Sequence, residues 1–282
     1  MLLIAKFFSL IRWKNLCIVL FTQYAARLFL VGRGEHLWAS LTDRAQLLIS
    51  LSTILVAASG YIINDYFDIK IDQVNKPDEV IIGRYIPRRY AILAHQSLNI
   101  TAAVISFTLG WKVFVINILA MTLLWFYASI FKKMPFVGNF LVAALTGASL
   151  VVMAVYYPEN DLLINIYAVF AFGITLIREI IKDIEDIRGD KKYGSKTLPI
   201  IWGLRKTKLL LYIFMLGFVC TVIAMGLALG NTHLNMAFIF LSIPFGYIAV
   251  RLYFADRKSH FSALSSWTKA VIILGIMSMV FV

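Results

Sequence analysis

The chain has 282 residues, 61% of them apolar and 15% charged, a composition that cannot solvate the surface of a soluble domain. Its formal charge of +12 could suit a nucleic-acid binder, but the basic residues fall between apolar stretches, where membrane orientation and anionic headgroups account for them, so no nucleic-acid partner is expected. Cys17 and Cys220 lie far apart in apolar runs with no neighbouring His or second Cys, and both are expected to be packing residues.

Residues 1–14 lead directly into a full-length apolar stretch without a cleavage-site pattern, so the first helix is expected to be retained. About 20 apolar residues cross a bilayer core as a helix. Nine stretches meet that length: 15–31, 45–64, 89–110, 112–131, 136–157, 161–181, 208–230, 233–254 and 263–282. No low-complexity linker divides them, which predicts a single domain over 1–282, an all-α polytopic membrane protein.

With the N-terminus in the cytoplasm, the segments 1–14, 65–88, 132–135, 182–207 and 251–262 are cytoplasmic. Twenty Lys and Arg then lie inside, with Lys208 at a boundary, whereas Arg33, Arg44 and Lys112 lie outside. The two long polar loops, 65–88 and 182–207, fall on the inner side, so function is sought on the cytoplasmic face. Arg27 and Arg178, inside apolar runs near helix ends, are expected to snorkel to the interface in preference to pairing with an acid.

Of the 15 acidic residues, ten fall in two windows. In the first, Asp65, Asp68 and Asp72 continue the second helix at spacings that put them on one face, with Asn64 one turn below Asp68. In the second, Glu179, Asp183, Asp186 and Asp190 repeat at spacings of 4, 3 and 4 at the end of the sixth helix and share a face. Stacked like charges at a membrane edge destabilise a helix and are costly to desolvate, so a cation must compensate them. Hard oxygen ligands without His or Cys point to Mg2+, which takes one or two carboxylates and completes its octahedron with water and phosphate oxygens. A diphosphate is the natural co-ligand, and Lys76, Arg84, Lys132, Lys133, Arg188 and Lys196 are the candidates to neutralise it.

The bland alternative for each window is a solvated helix end whose acids pair with neighbouring Lys and Arg; two matched windows on one membrane face argue against it. His36, His95, His233 and His260 are scattered and make no triad or metal set. Most of the aromatic residues read as interface anchors or packing, with Tyr66, Phe67 and Tyr127, beside the polar windows, as the exceptions able to stabilise a nearby cation.

Asn64 to Asp72 matches the N-D-x-x-D-x-x-x-D motif, and Asp186 to Asp190 the D-x-x-x-D motif, of the UbiA-type intramembrane prenyltransferases, which the chain resembles over nearly its whole length. Further matches are Asn75-Lys76-Pro77, Gly83-Arg84, Tyr127-Ala128-Ser129, Lys132-Lys133, Gly138-Asn139, and Lys182 to Asp186 running on to Gly194-Ser195-Lys196-Thr197-Leu198-Pro199. The resemblance implies nine transmembrane helices around a central cavity open to the cytoplasmic side. It implies that Asn64, Asp68, Asp186 and Asp190 bind two Mg2+ ions holding a polyprenyl diphosphate donor. Asp65, Asp72 and Asp183 would support that shell or help deprotonate the acceptor. Glu79 departs from the pattern, since members often carry Arg there, and Lys76 or Arg84 would take that role.

The reaction so implied is transfer of a polyprenyl group to a lipophilic acceptor at the inner membrane of the cell, with membrane lipids around it and the site facing the cytoplasm. Within the family, the Asn-Asp-Tyr-Phe-Asp run followed by Asp72 and Asn75-Lys76-Pro77 looks most like the geranylgeranylglycerol-phosphate geranylgeranyltransferases (digeranylgeranylglyceryl phosphate synthases), which make ether-lipid precursors. An aromatic acceptor of quinone, haem or chlorophyll biosynthesis is the alternative. A rival from another class is a cation-coupled transporter with Asp68 or Asp186 at its mouth; the acids' position at helix ends, away from the bilayer midplane, disfavours it.

Overall fold

The computed structural model describes residues 2–32, 35–158 and 161–282, and among them the chain is helical, with one isolated bridge between Ile82 and Ile86 and no strand. A short α1 (Leu2–Leu10) precedes α2 (Trp13–Ala26), which runs on as a π-helical segment to Val31. After α3 (Leu37–Leu41) come α4 (Arg44–Asn75), α5 (Arg88–Thr108), α6 (Trp111–Ser129), α7 (Val137–Tyr156) and α8 (Asp161–Glu185). Two short helices, α9 (Ile187–Lys192) and α10 (Leu198–Ile201), lead to α11 (Gly203–Ala228), α12 (Thr232–Tyr253) and α13 (Lys258–Met277). Among the described residues nine helices, α2, α4 to α8 and α11 to α13, are long and apolar enough to cross a membrane, and each contains one of the nine stretches read from the sequence, give or take a few residues at the ends.

The long α4 sets the frame. Asp43 caps it, accepting from the backbone N–H of Ala45 (2.9 Å) and Gln46 (3.4 Å). Its buried Ser52, Thr53 and Ser59 each donate to a carbonyl one turn back, so these polar side chains are satisfied inside an apolar bundle. It ends at Asn75 because Pro77 disfavours helical geometry in the residue before it. Thirty-two residues make a helix of about 48 Å, against a hydrocarbon core of about 30 Å, so the last turns of α4 have length to project past the hydrocarbon. In α4 and α8 61% of the apolar window is buried, against 17% in α6, which makes those two helices the centre of the bundle.

Four expectations need correction. The sixth span does not run unbroken through Asp190: the helix is interrupted at Asp186, whose carbonyl accepts from the Asn75 side chain, and α9 starts afresh after it. Cys17 and Cys220 are exposed on the outside of the bundle; in a membrane an apolar run can be solvated by lipid, so apolarity in sequence does not imply burial in protein. Arg27 does not snorkel. It is 7% exposed and donates to Asp43 at 2.9 Å and Glu35 at 2.8 Å. Arg178 likewise pairs, with Glu179 at 2.7 Å, because a carboxylate within reach satisfies a guanidinium without stretching it to the interface. Arg33, counted on the outer side, lies outside the described residues.

Candidate active site

The helical spacing of the first window brings Asp65, Asp68 and Asp72 to one wall of a cavity of about 1030 Å3, and the second window brings Asp183, Asp186 and Asp190 to the same cavity from α8 and α9. Asn64, Lys76 and Lys132 line it too. Nine of the residues singled out from the sequence therefore meet in one space, although the two windows lie more than 100 positions apart.

Four of these acids have a partner within the protein. Lys132 forms an ion pair with Asp68, which is 2% exposed, and its ammonium is 3.4 Å from Asn64 Oδ1. Lys132 arrives there on a 3-10 turn, and the start of α7 packs so closely beneath it that a Cβ on Gly138 would stand 3.0 Å from the Lys132 Cα. Burial by itself would lower the Lys132 pKa; the Asp68 carboxylate outweighs that and holds it above the usual ammonium value. Arg12, between α1 and α2, donates to Asp65 at 2.8 Å and lies over the Tyr61 ring at 4.9 Å. Its backbone has φ of 52°, a left-handed conformation costing about 1–3 kcal/mol in a non-glycine residue, which the fold tolerates where it delivers the guanidinium to the cavity. Asn139 of α7 donates to Asp183 at 2.9 Å. Lys76 stands 3.6 Å from one carboxylate oxygen of Asp186, while the other, Oδ1, is buried without a partner. On α9, burial pushes the Asp190 carboxyl up to about 6.

The two windows are tied together. Asn75, the last residue of α4, accepts from the Gly189 N–H at 2.8 Å and donates to the Asp186 carbonyl at 3.0 Å, and Lys258 donates to the Asn75 carbonyl.

The other predicted basic residues are not brought to this wall. Arg84 is exposed and stacks over Tyr85, 5.4 Å from its centroid. Lys133, Arg188 and Lys196 have exposed side chains, and Lys133 and Lys196 meet through the backbone, where the Lys196 N–H donates to the Lys133 carbonyl at 2.8 Å. Tyr127 lines the cavity; Tyr66 lies under Arg88, and Phe67 packs edge-on against Trp125.

The structure adds residues to which sequence reasoning gave no role in the site: Arg12, Tyr61, Arg178, Lys182 and Lys269 on the wall beside Glu179 of the second window, with Asn139 bonded to Asp183. Lys269, alone inside the last apolar stretch, carried the signal that an ionisable residue within a span marks a functional surface. Arg178 and Lys182 are one helical turn apart, a spacing that places two cations on a stripe adjoining the second acidic window.

Among the described residues no three of His, Cys, Asp and Glu form a ready-made metal cage. The donors are instead hard oxygens distributed over two helix ends, with Asp186 Oδ1 unpartnered. Such a set fits a hard divalent cation that brings phosphate oxygens and water to complete its coordination.

The description of the UbiA prenyltransferase family matches residues 19–273. A digeranylgeranylglyceryl phosphate synthase of Thermococcus sibiricus is 38% identical over 181 residues, which are 64% of this chain and 63% of that relative, so the match spans under two thirds of the relative's length. A solved structure concerned with digeranylgeranylglyceryl phosphate synthase in membranes superposes with a TM-score of 0.76 at 25% identity, covering 99% of this chain and 98% of the other. A UbiA homologue from Archaeoglobus fulgidus, solved with GPP and Mg2+, has the same fold, with a TM-score of 0.69 at 16% identity, covering 98% of this chain and 100% of that one. Nine membrane-length apolar helices, two facing aspartate windows and a family match over most of the length agree with one another: this integral membrane protein belongs to the UbiA prenyltransferase family.

Proposed function

We propose that the protein transfers a polyprenyl group from an allylic diphosphate to geranylgeranylglyceryl phosphate, a lipophilic ether-lipid precursor, in a Mg2+-dependent reaction on the cytoplasmic side of the inner membrane. The observation that carries this reading is one cavity that two aspartate groups enter together and that apolar residues of α4, α7, α8 and α13 also line. The name of the Thermococcus relative supports the choice of acceptor, and the Archaeoglobus homologue, solved with GPP and Mg2+, supports the donor class and the ion. The excess of Lys and Arg in the loops on the acidic side supports the orientation.

In this reading Asn64, Asp68, Asp186 and Asp190 hold the metal. Magnesium, when bound, neutralises the diphosphate and makes it a better leaving group. Lys76 and Lys132 add positive charge at the same end of the cavity, where they stabilise the negative charge that develops as the allylic C1–O bond breaks and its electron pair passes to the diphosphate. The acceptor hydroxyl oxygen forms the new bond to C1, and its proton passes to Asp72 or Asp183. Asp65 keeps Arg12 against the wall. The apolar wall excludes water, which would otherwise capture the allylic cation. Arg84, Lys133, Arg188 and Lys196, exposed beyond the wall, draw the anionic donor toward the mouth.

The test is transfer of radiolabelled geranylgeranyl diphosphate by purified protein, offered geranylgeranylglyceryl phosphate, 4-hydroxybenzoate and 1,4-dihydroxy-2-naphthoate in parallel, beside Asp68→Asn and Asp186→Asn. Magnesium-dependent transfer to the glyceryl phosphate alone, lost in both variants, is the expected result. Transfer to an aromatic acceptor refutes the acceptor assignment, and no transfer to any of them refutes the reaction.

A further inference from the structure

Beside the second aspartate window, the cavity wall carries a group of cations that the reaction chemistry does not use. Arg178 and Lys182 of α8 flank Glu179 at 2.7 and 3.4 Å, and Lys269 of α13 and Arg12 line the same cavity, within the field of these groups. Arg12 is matched by Asp65. Arg178 and Lys182 share the Glu179 carboxylate, and Lys182 also lies in the field of Asp183, Asp186 and Asp190. No carboxylate of the described residues is within ion-pair distance of Lys269, and Arg178 Nε is buried with no hydrogen-bond partner. Crowded cations with an unpaired donor are costly in such a space and call for an anion.

We infer that Arg178, Lys182 and Lys269 form a binding site for the phosphomonoester of the acceptor lipid, separate from the site that holds the donor's diphosphate. A phosphomonoester, with about −1.5 to −2 charge near neutral pH and three acceptor oxygens, can answer both the Lys269 ammonium and the unpartnered Arg178 Nε. Guanidinium and ammonium together suit a tetrahedral oxyanion, the first as a planar fork and the second as a point charge. The surrounding wall suits a lipid too. Further along the same two spans it is built of Tyr167, Phe170 and Ala171 from α8 and Ile272, Ile276 and Met279 from the last span, a surface for the acceptor's hydrocarbon chain. The wall near Asp68 is built by different helices, α4, α6 and α7, through residues such as Val56, Leu124 and Leu145. Two hydrocarbon chains thus have separate walls in one cavity, with their head groups converging on the aspartates.

This inference rests on the proposed reaction for the identity of the lipid, but its test reads binding as well as turnover. Purified wild type, Lys269→Met and Lys269→Arg are compared for equilibrium binding of tritiated geranylgeranylglyceryl phosphate without donor or magnesium, with geranylgeranylglycerol, which lacks the phosphate, as competitor. Wild type and Lys269→Arg are expected to bind the phosphate form at least ten-fold more tightly than the alcohol, and Lys269→Met to lose that preference. In turnover, Lys269→Met is expected to raise the acceptor KM about ten-fold while the donor KM stays at the wild-type value, which also reports that the variant is folded. Equal affinity of wild type for phosphate and alcohol, a preference that survives in Lys269→Met, or a donor KM that rises in step with the acceptor KM overturns the assignment. If wild type binds the phosphate lipid through Lys269 yet transfers nothing to it, the proposed reaction fails and the site stands.

Discussion

The side-chain oxygen of Asn75 accepts the backbone N–H of Gly189 at 2.8 Å, and this contact fixes the end of α4 against the start of α9. Both aspartate windows hang on it, since Asp72 lies one turn before Asn75 and Asp190 is the neighbour of Gly189. The approach is too close for any side chain: a Cβ on Gly189 would stand 2.5 to 2.7 Å from the atoms of the Asn75 amide.

Gly189→Ala is therefore expected to push the two windows apart and lower transfer at least ten-fold with the helical far-UV spectrum retained. Asn75→Ala, which removes the bonds to Gly189 and Asp186, is expected to do the same and to cost about 1–3 kcal/mol of stability by leaving buried backbone groups unpaired. Wild-type turnover in Gly189→Ala would show that the clamp does not position the site.

Lys132→Met leaves the Asp68 carboxylate buried without its partner. The expected loss is about 100-fold in transfer, with a drop in the thermal midpoint of the metal-free protein. The double variant Lys132→Met, Asp68→Asn removes both charges, and is expected to recover much of the stability but none of the activity. Denaturation and turnover of the three proteins, measured side by side, separate the two effects.

Removal of divalent cations by EDTA is expected to abolish transfer, and added magnesium to restore it. The fold should survive the treatment, because Lys132, Arg12, Lys76 and Asn139 already give the acids partners within the protein. Unfolding on chelation, followed by circular dichroism, would contradict this division of labour.

At the opposite end of α2 from Arg12, Arg27 binds Glu35 and Asp43, and Tyr157 donates to Asp43 at 2.8 Å. Hydrogen bonds from Arg27 and then Ser40 hold the Glu35 carboxyl below its ordinary value of 4.5. A lowered carboxylate contributes stability that is present above about pH 4.5 and is lost as pH falls through the lower folded value. Glu35→Gln should therefore flatten the acid limb of the stability profile and leave it unaltered near pH 7 in slope. Arg27→Met, which strands Asp43, should destabilise by about 3–5 kcal/mol. Thermal melts between pH 3 and 7 check both.

Sidedness is tested by placing one cysteine at Lys191, in an exposed stretch after the second window, in a protein whose Cys17 and Cys220 are replaced by Ala. An impermeant thiol reagent is expected to label it in inverted vesicles and not in intact cells. Labelling from outside would reverse the orientation read from the basic loops.

Much of this protein is legible residue by residue. The nine spans follow from the length and apolarity of continuous stretches, and the helical phase of Asp65, Asp68 and Asp72 follows from their spacing, because both depend on neighbours a few positions away. Arg27 and Cys17 mark the limit of that reading. An apolar run says that a residue leaves water, but whether it meets protein or lipid depends on which helix lies beside it, and Arg27 found acids where Cys17 found an open surface.

The chain's own order of residues determined the helices and the two aspartate windows. The tertiary structure alone decided that Lys132, and not Lys133, reaches Asp68, that Asn75 breaks the sixth span at Asp186, and that Arg178, Lys182 and Lys269 share a wall. These relationships join segments 64 to 111 positions apart. Helical periodicity fixes which way a side chain points along its own helix, but the partner it meets is set by how nine helices pack.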